Sequence, residues 1–398
     1  MRILFLCNKS PYPPKEGGPI AMNALIEGMA DAGHQVKVLA INSNKYGVNV
    51  ADIPDRYRKK TNIETVYINL AIKPVDAFLN LFSKKSYHVQ RFISKDFEAK
   101  LIDILQKDTY DIVQFETLYM SPYIAAIRKY SKAKIVLRSH NIEHLIWKRV
   151  AEITRNPIKK RYLNHLWKTL RKYELEKLNT YDGIVSITKN DGDFFINNGC
   201  TIPLTAIPFG ISLDKFREPR NISTEYPSLF HIGAMNWIPN QEGIKWFLDQ
   251  VWEKVHQAWP DLKFYVAGRE MPAWLTNLNR TNIEVVGEVD DALDFIASKA
   301  IEVVPLFSGS GIRIKIIEGM AMGKTVISTP IGAEGINVEH RKNIMLAEDA
   351  DRFFEAIKQC LEDADLCQQI GLNAKTLIEK EHDNKMLVQE LEQFYTTI

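Results

Sequence analysis

Residues 305–335 read PLFSGSGIRIKIIEGMAMGKTVISTPIGAEG, and their polar members are of types that hold an anion. Ser308-Gly309-Ser310-Gly311 is a tight turn, and Arg313 and Lys315 follow in the first turn of a predicted helix. The helix macrodipole disfavours cations there, so a phosphate bound at that end is a reason to place them. Glu318 falls one to two turns further on, within reach of sugar hydroxyls beside such a phosphate. His140, in Arg138-Ser139-His140-Asn141, stands where a strand stops among polar residues. That setting favours a site role over a core role. Glu116, in Gln114-Phe115-Glu116-Thr117, ends another strand in the same way.

The elements that position these residues are legible from periodicity. Residues 301–305 form an apolar run expected as a buried parallel strand. Ile312, Ile316, Ile317, Met320 and Ala321 recur at helical spacing, with Gly323 as the stop. Residues 325–328 are the next strand. The same pattern also fits an ordinary strand-to-helix turn of an α/β domain. Two sharper motifs fail. In Gly319-Met320-Ala321-Met322-Gly323-Lys324-Thr325 the first P-loop glycine would fall at Glu318, and helix precedes strand. Gly309-Ser310-Gly311 begins a dinucleotide fingerprint whose third glycine position is Ile314.

The chain opens on the strand Arg2-Ile3-Leu4-Phe5-Leu6-Cys7, a Pro/Gly-rich loop, a helix ended by Gly33 and a strand at 35–41, a βαβ unit. Gly17-Gly18 in that loop let a backbone approach a ligand closely, or only shape the loop. Strand-like runs recur at 63–68, 111–115, 134–137 and 183–187. They recur again at 229–232, 262–267, 283–286, 301–304 and 325–328, with helical patterns such as 243–255 and 349–361 between. This alternation predicts parallel doubly wound sheets whose ligands lie beyond the carboxyl ends of the strands. The pattern lapses from 198 to 208, where a linker is expected. The last helical pattern puts Leu387, Val388, Leu391 and Phe394 on one side.

A length of 398 residues predicts two domains. Four scattered cysteines without a CxxC or Cys/His cluster point to a reducing compartment and no zinc site. Asp191-Gly192-Asp193 mimics a DxD metal motif but precedes a helical pattern, so it is expected to cap the helix. Met1 to Cys7 is too short for a signal peptide, and no apolar run approaches the length of a membrane span.

The net charge of +2 is unevenly spread. Residues 1–200 hold 32 Lys/Arg against 20 Asp/Glu, and the remainder hold 19 against 29. The first half is therefore expected to face something anionic. Phe78, Leu81 and Phe82 lie beside Lys84 and Lys85, and residues 149–177 interleave basic and aromatic side chains. Such faces suit an anionic membrane surface or a solvated helix. No motif supports nucleic acid binding.

The segments GGPIAMNALIEGMADAGHQVKVLA, RSHNIEHLIWKRV, YDGIVSITKNDGDFF, IPFGISLDKF, IGAMNWIPNQEGIKWF and GSGIRIKIIEGMAMGKTVIST span almost the entire chain. In this order they resemble GT-B glycosyltransferases of the retaining family 4. The resemblance implies an α/β fold of two Rossmann-like doubly wound domains facing a central cleft, with a C-terminal helix packing back toward the first. The expected divisions are 1–200 for the acceptor domain, 201–378 for the donor domain and 379–398 for the helix. It implies transfer of a sugar, with retention and without metal, from a UDP- or GDP-sugar to a glycan or lipid-linked acceptor. The nucleotide-sugar is a substrate and no cofactor is expected. The expected location is cytoplasmic, peripheral at the inner membrane face. A sugar-nucleotide epimerase and a non-catalytic nucleotide-sugar binder are the alternatives.

Glu318 matches the second glutamate of the family's E-x7-E motif, which holds the ribose. The first falls at Ser310, a departure. Backbone groups of Ser310, Gly311 and Ile312 are expected to take donor contacts, together with Gly309 and Gly287. The family's Arg and Lys after the first strand of the second domain are missing from GAMNWIPN, so Arg313 and Lys315 are expected to replace their charge. His140 matches the family's histidine near the donor sugar, and Gly17 and Gly18 match its glycine loop near the diphosphate. Catalytic roles are thus expected for His140, Arg313, Lys315 and Glu318. Glu116, Phe78, Phe82, Lys84 and Lys85 are assigned to the acceptor or membrane side.

Overall fold

The computed structural model describes residues 1–398 apart from Lys15, Glu16, Tyr46, Pro219 and Ser310. Contacts divide the chain into two units, Met1–Ile211 with Asn384–Ile398, and Ser212–Asp383.

The first unit holds β1 (Arg2–Cys7), α1 (Gly17–Asp31), β2 (Gln35–Ser43), β3 (Glu64–Ile68), α2 (Pro74–Asn80), β4 (Ile112–Phe115) and β5 (Lys134–Ser139). It continues with α3 (Glu143–Ile153), α4 (Pro157–Lys177), β6 (Gly183–Ser186) and β7 (Leu204–Ala206). Its strands run parallel in the order β3-β2-β1-β4-β5-β6-β7. Successive residues of a strand point to opposite faces. Ile3 and Phe5 therefore join one core cluster with Met22, Leu25 and Ile26 of α1. Leu4 and Leu6 join another with Phe97 and Leu101. Burial on both faces is why β1 reads as a continuous apolar run.

The second unit holds β8 (Glu225–Ile232), α5 (Ile238–Phe247), β9 (Phe264–Ala267), β10 (Ile283–Gly287), β11 (Lys299–Val304), α6 (Ile314–Ala321), β12 (Thr325–Ser328) and β13 (Met345–Leu346). Its order, β10-β9-β8-β11-β12-β13, repeats the same topology with all strands parallel. Each sheet reverses winding beside its first strand, at β1/β4 and at β8/β11. Those switch points are where such sheets bind ligands.

The terminal helix Asn384–Thr397 buries Leu387, Val388, Leu391 and Phe394 in the cluster that also contains α1 residues. The Asn384 N–H donates to Ile211 O at 3.0 Å, so the chain leaves and re-enters the first unit at neighbouring points.

Three expectations give way. The stretch 198–208, read as a linker, contains β7; its Leu204-Thr205-Ala206 lies between Pro203 and Pro208 and is too short to show alternation. The helix expected at 243–255 begins at Ile238, where Pro239 suits a first turn. It then passes through a π-helical segment, Leu248–Trp252, into Glu253–Ala258. Asp191 does not cap its helix. The Thr188 side chain does so, accepting from the Asp191 N–H at 3.0 Å, while Asp193 pairs with Lys189 at 2.5 Å. A hydroxyl one position before the helix outcompetes an aspartate already inside it.

Candidate functional site

In the second unit the polar residues converge on the β8/β11 switch point. Lys315, second residue of α6, donates from Nζ to Asn240 Oδ1 at 2.8 Å and approaches His231 Nε2 at 3.2 Å. His231 sits near the end of β8 and is fully buried. Its Nδ1 lies 2.7 Å from Val303 O. A carbonyl only accepts, so Nδ1 carries the proton and Nε2 is free to accept from Lys315. Burial pulls the His231 ring well below its usual pKa, and the Lys315 charge pulls the same way. Asn240 lies in the first turn of α5, where its Nδ2 also donates to Ala234 O at 2.8 Å. The ammonium thus rests beside the Gly233 turn, where a Cβ would come within 2.4 Å of Nζ.

Arg313 is the N-cap of α6, whose start has no side-chain capping hydrogen bond. It is buried, it bonds to Gly311 O, and its guanidinium lies 5.5 Å from the Trp237 ring centroid. Gly309 and Gly311 adopt φ of +110° and +78°, which side-chain-bearing residues rarely accept. Ser310 lies outside the described residues. Ile312 is half-buried just before α6, and Gly287 closes β10 with φ +82°. Glu318 follows Lys315 on α6 and is half-buried. Burial pushes its carboxyl up to about 7 against the pull of Lys315. As expected, Gly323 ends the helix, with φ +71° and the Lys324 N–H donating to Gly319 O at 2.9 Å.

In the first unit a second cluster stands at the ends of β4 and β5. His140 Nε2 lies 2.9 Å from Glu116 Oε2, and Arg138 donates to the same oxygen at 3.3 Å. Gln114 donates to Glu116 Oε1 at 2.5 Å and accepts from Tyr395 of the terminal helix. Arg138 also donates to Ala21 O of α1 at 3.2 Å. Burial alone would raise Glu116, but Arg138 and the His140 hydrogen bond outweigh it and hold the carboxyl below its usual range. Burial lowers His140 despite that partner. The ring is therefore neutral near pH 7, protonated at Nε2, with Nδ1 left as an acceptor. Glu116, assigned to the acceptor side, is fully buried and supports His140 from below. Gly17 and Gly18 open α1, and Gly18 lies against the Lys9 side chain.

Phe78 and Phe82 are 61% and 81% exposed, which leaves them on the surface of the first unit. Beside them α2 and α4 frame a groove of about 490 Å³ lined by Ala77, Phe78, Leu81, Ile158, Lys159 and Tyr162. Lys84 and Lys85 follow α2 and are exposed.

Sequence reasoning missed His231, Asn240, Gln114 and Tyr395 as parts of these clusters. It also passed over Glu302, which is buried within β11. Gln114 and Glu302 did carry a signal, a polar residue inside an apolar strand run.

Residues 226–363 match the family model Glycosyl transferases group 1. HepE of Anabaena, solved in complex with UDP-glucose, superposes with a TM-score of 0.67 at 14% identity, with 100% of each chain covered. The chain has the GT-B fold. Sucrose-phosphate synthase of Thermosynechococcus elongatus shares this GT-B architecture at a TM-score of 0.70 and 17% identity, covering 100% of this chain and 99% of that one. In sequence, an uncharacterized 44.6 kDa protein in the cps region of Klebsiella pneumoniae is 23% identical over 404 residues, 98% of each chain.

Proposed function

We propose that this protein is a retaining glycosyltransferase that moves a sugar from a UDP- or GDP-sugar to a glycan acceptor. The observation that carries the reading is the Lys315 ammonium, held at a switch point by Asn240 and His231, with Glu318 on the next turn of the same helix. A cation and a carboxylate so spaced match a diphosphate joined to a ribose. The group 1 match over 226–363 covers this region and supports the assignment. Glu318 accepts from ribose hydroxyls. Lys315, Arg313 and the α6 N-terminus take the diphosphate. In the first unit, neutral His140 orients a sugar hydroxyl through Nδ1, and the Gly17-Gly18 backbone approaches the donor.

In the reaction the bond from the sugar's anomeric carbon to the diphosphate oxygen breaks. A bond to the acceptor hydroxyl oxygen forms on the same face, and the hydroxyl proton passes to the departing diphosphate. The protein contributes positioning and charge stabilisation. Arg313 and Lys315 supply the positive charge, so activity is expected to persist in a chelator. The acceptor is lipid-linked and reached at an anionic membrane face, which the exposed Phe78 and Phe82, the α2/α4 groove and Lys84, Lys85 and Lys159 suit.

The test is mass analysis after incubation with a panel of UDP- and GDP-sugars, with and without EDTA. Slow release of free nucleoside diphosphate supports transfer with water as a poor acceptor. Isomerised donor would make the protein an epimerase, and binding without turnover would make it a non-catalytic binder.

A further inference from the structure

Glu143 is the first residue of α3, shortly after β5 ends. An acid at a helix start ordinarily serves the macrodipole or caps the helix. Here another segment does the capping. Ile142 gives α3 no side-chain cap, and Glu174 of α4 accepts from the Glu143 N–H at 3.0 Å and the His144 N–H at 3.1 Å. The half-buried Glu143 carboxyl is released for other work. Its Oε2 accepts from the buried Tyr119 hydroxyl at 2.8 Å, and Oε1 has no partner among the described residues. Tyr119 belongs to the turn Leu118–Tyr123 after β4. The ends of β4 and β5 are thus bridged twice, by Glu116 with His140 and by Tyr119 with Glu143.

Two more oxygens beside them lack donors. Thr117 is 9% exposed, and its Oγ1 is buried without a partner, as is Asn8 Oδ1. β1 and β4 pair as far as Leu6 with Phe115, so Asn8 and Thr117 leave neighbouring strands at the same level, at the switch point. Buried polar atoms are normally hydrogen-bonded, and a switch point is where a sheet of this kind binds ligands. All three oxygens can accept and only Glu143 can carry charge, which suits neutral hydroxyls over a cation. Burial and the charge of Glu174 push the Glu143 carboxyl up to about 7. A hydroxyl donates to its ionised form and accepts from its neutral form, so both forms bind it. Trp147, one turn after Glu143 on the same face of α3, is half-buried and stacks on His88 at 4.0 Å. An aromatic wall beside a few polar groups is the usual lining of a small-molecule site.

We propose that Glu143, Thr117 and Asn8 form a polyol subsite of the first unit that takes a sugar ring of the glycan acceptor. Tyr119 is the positioning residue that aims the Glu143 carboxyl. The chain between His140 and Glu143 spans at most about 10 Å, so the ring is held close to the histidine assigned to the donor sugar. The acceptor role rests on the proposed function, whereas the polyol subsite does not.

The probes are the methyl glycosides of glucose, galactose, mannose and N-acetylglucosamine, titrated against the full chain by saturation-transfer NMR. At least one should bind wild type. Thr117→Val, which keeps the side-chain shape, and Glu143→Ala should each weaken that binding about tenfold, the scale of one hydrogen bond. Tyr119→Phe should weaken it too, but should add nothing in a Glu143→Ala background, which a merely structural role would not predict. Urea unfolding identifies the variants that fold. No glycoside bound by wild type, or undiminished binding in a folded Thr117→Val or Glu143→Ala, overturns the inference. Binding lost in the variants while wild type takes neither UDP nor GDP would uphold the subsite and remove the transferase reading.

Discussion

His140 Nε2 and Glu116 Oε2 are 2.9 Å apart, and the carboxylate that orients the ring is itself anchored by Arg138 and Gln114. In the proposed reaction His140→Ala should raise the barrier behind kcat by about 0.5–1.5 kcal/mol, the scale of a hydrogen bond between neutral groups. The Kd for nucleoside diphosphate should stay put. Single-turnover kinetics with calorimetry separates the two effects, and a parallel loss of nucleotide affinity would contradict the assignment.

The same pair makes stability pH-dependent. His140 is depressed in the fold, so below pH 6.5 the unfolded chain binds a proton that the folded one does not. Glu116 is also depressed, so its contribution is present above 4.5 and is lost as pH falls through its lower folded value. Both act in one direction, so the stability that this pair contributes should fall on acidification from 7 to 4. His140→Gln should remove the part that begins near 6.5, read as urea unfolding at each pH.

Gly319 tests the packing of the second unit. Alanine there gains up to about 1 kcal/mol of helix propensity but collides with Glu302. Gly319→Ala should destabilise by about 1–3 kcal/mol. In a Glu302→Val background the same change should become neutral or stabilising. A double-mutant cycle with no coupling between 302 and 319 would contradict the contact.

That both sheets are parallel and doubly wound was legible because buried parallel strands are mostly apolar, and because glycines mark the ends of elements. Lys315 and Glu318 could be placed on one helix from spacing alone. The partners of Lys315 could not. His231 and Asn240 lie 84 and 75 residues away in sequence, and no local pattern links them. Tyr395 reaches Gln114 across 281 residues, which only the return of the terminal helix to the first unit brings about. β7 and β13 have three and two residues, too few for periodicity to register.

The α2/α4 surface should bind vesicles that contain anionic lipid, and binding should fall with salt. Each basic residue near such a surface contributes about 1 kcal/mol. Lys84→Glu with Lys85→Glu should reduce co-sedimentation at least tenfold without altering nucleotide binding. Equal behaviour toward neutral and anionic vesicles would leave this a solvated face and favour a soluble acceptor.

The central claim is that a nucleoside diphosphate binds the second unit with its ribose on Glu318. Calorimetric titration of UDP and GDP into wild type and Glu318→Ala tests it most directly. One nucleotide should bind wild type, and the variant should bind it about 1.5–3 kcal/mol more weakly. Because burial pushes the Glu318 carboxyl up to about 7 and it accepts only as a carboxylate, protonating it below 7 should weaken wild-type binding, and the ratio of wild-type to variant affinity should shrink as pH falls. Unchanged affinity in Glu318→Ala would contradict the account.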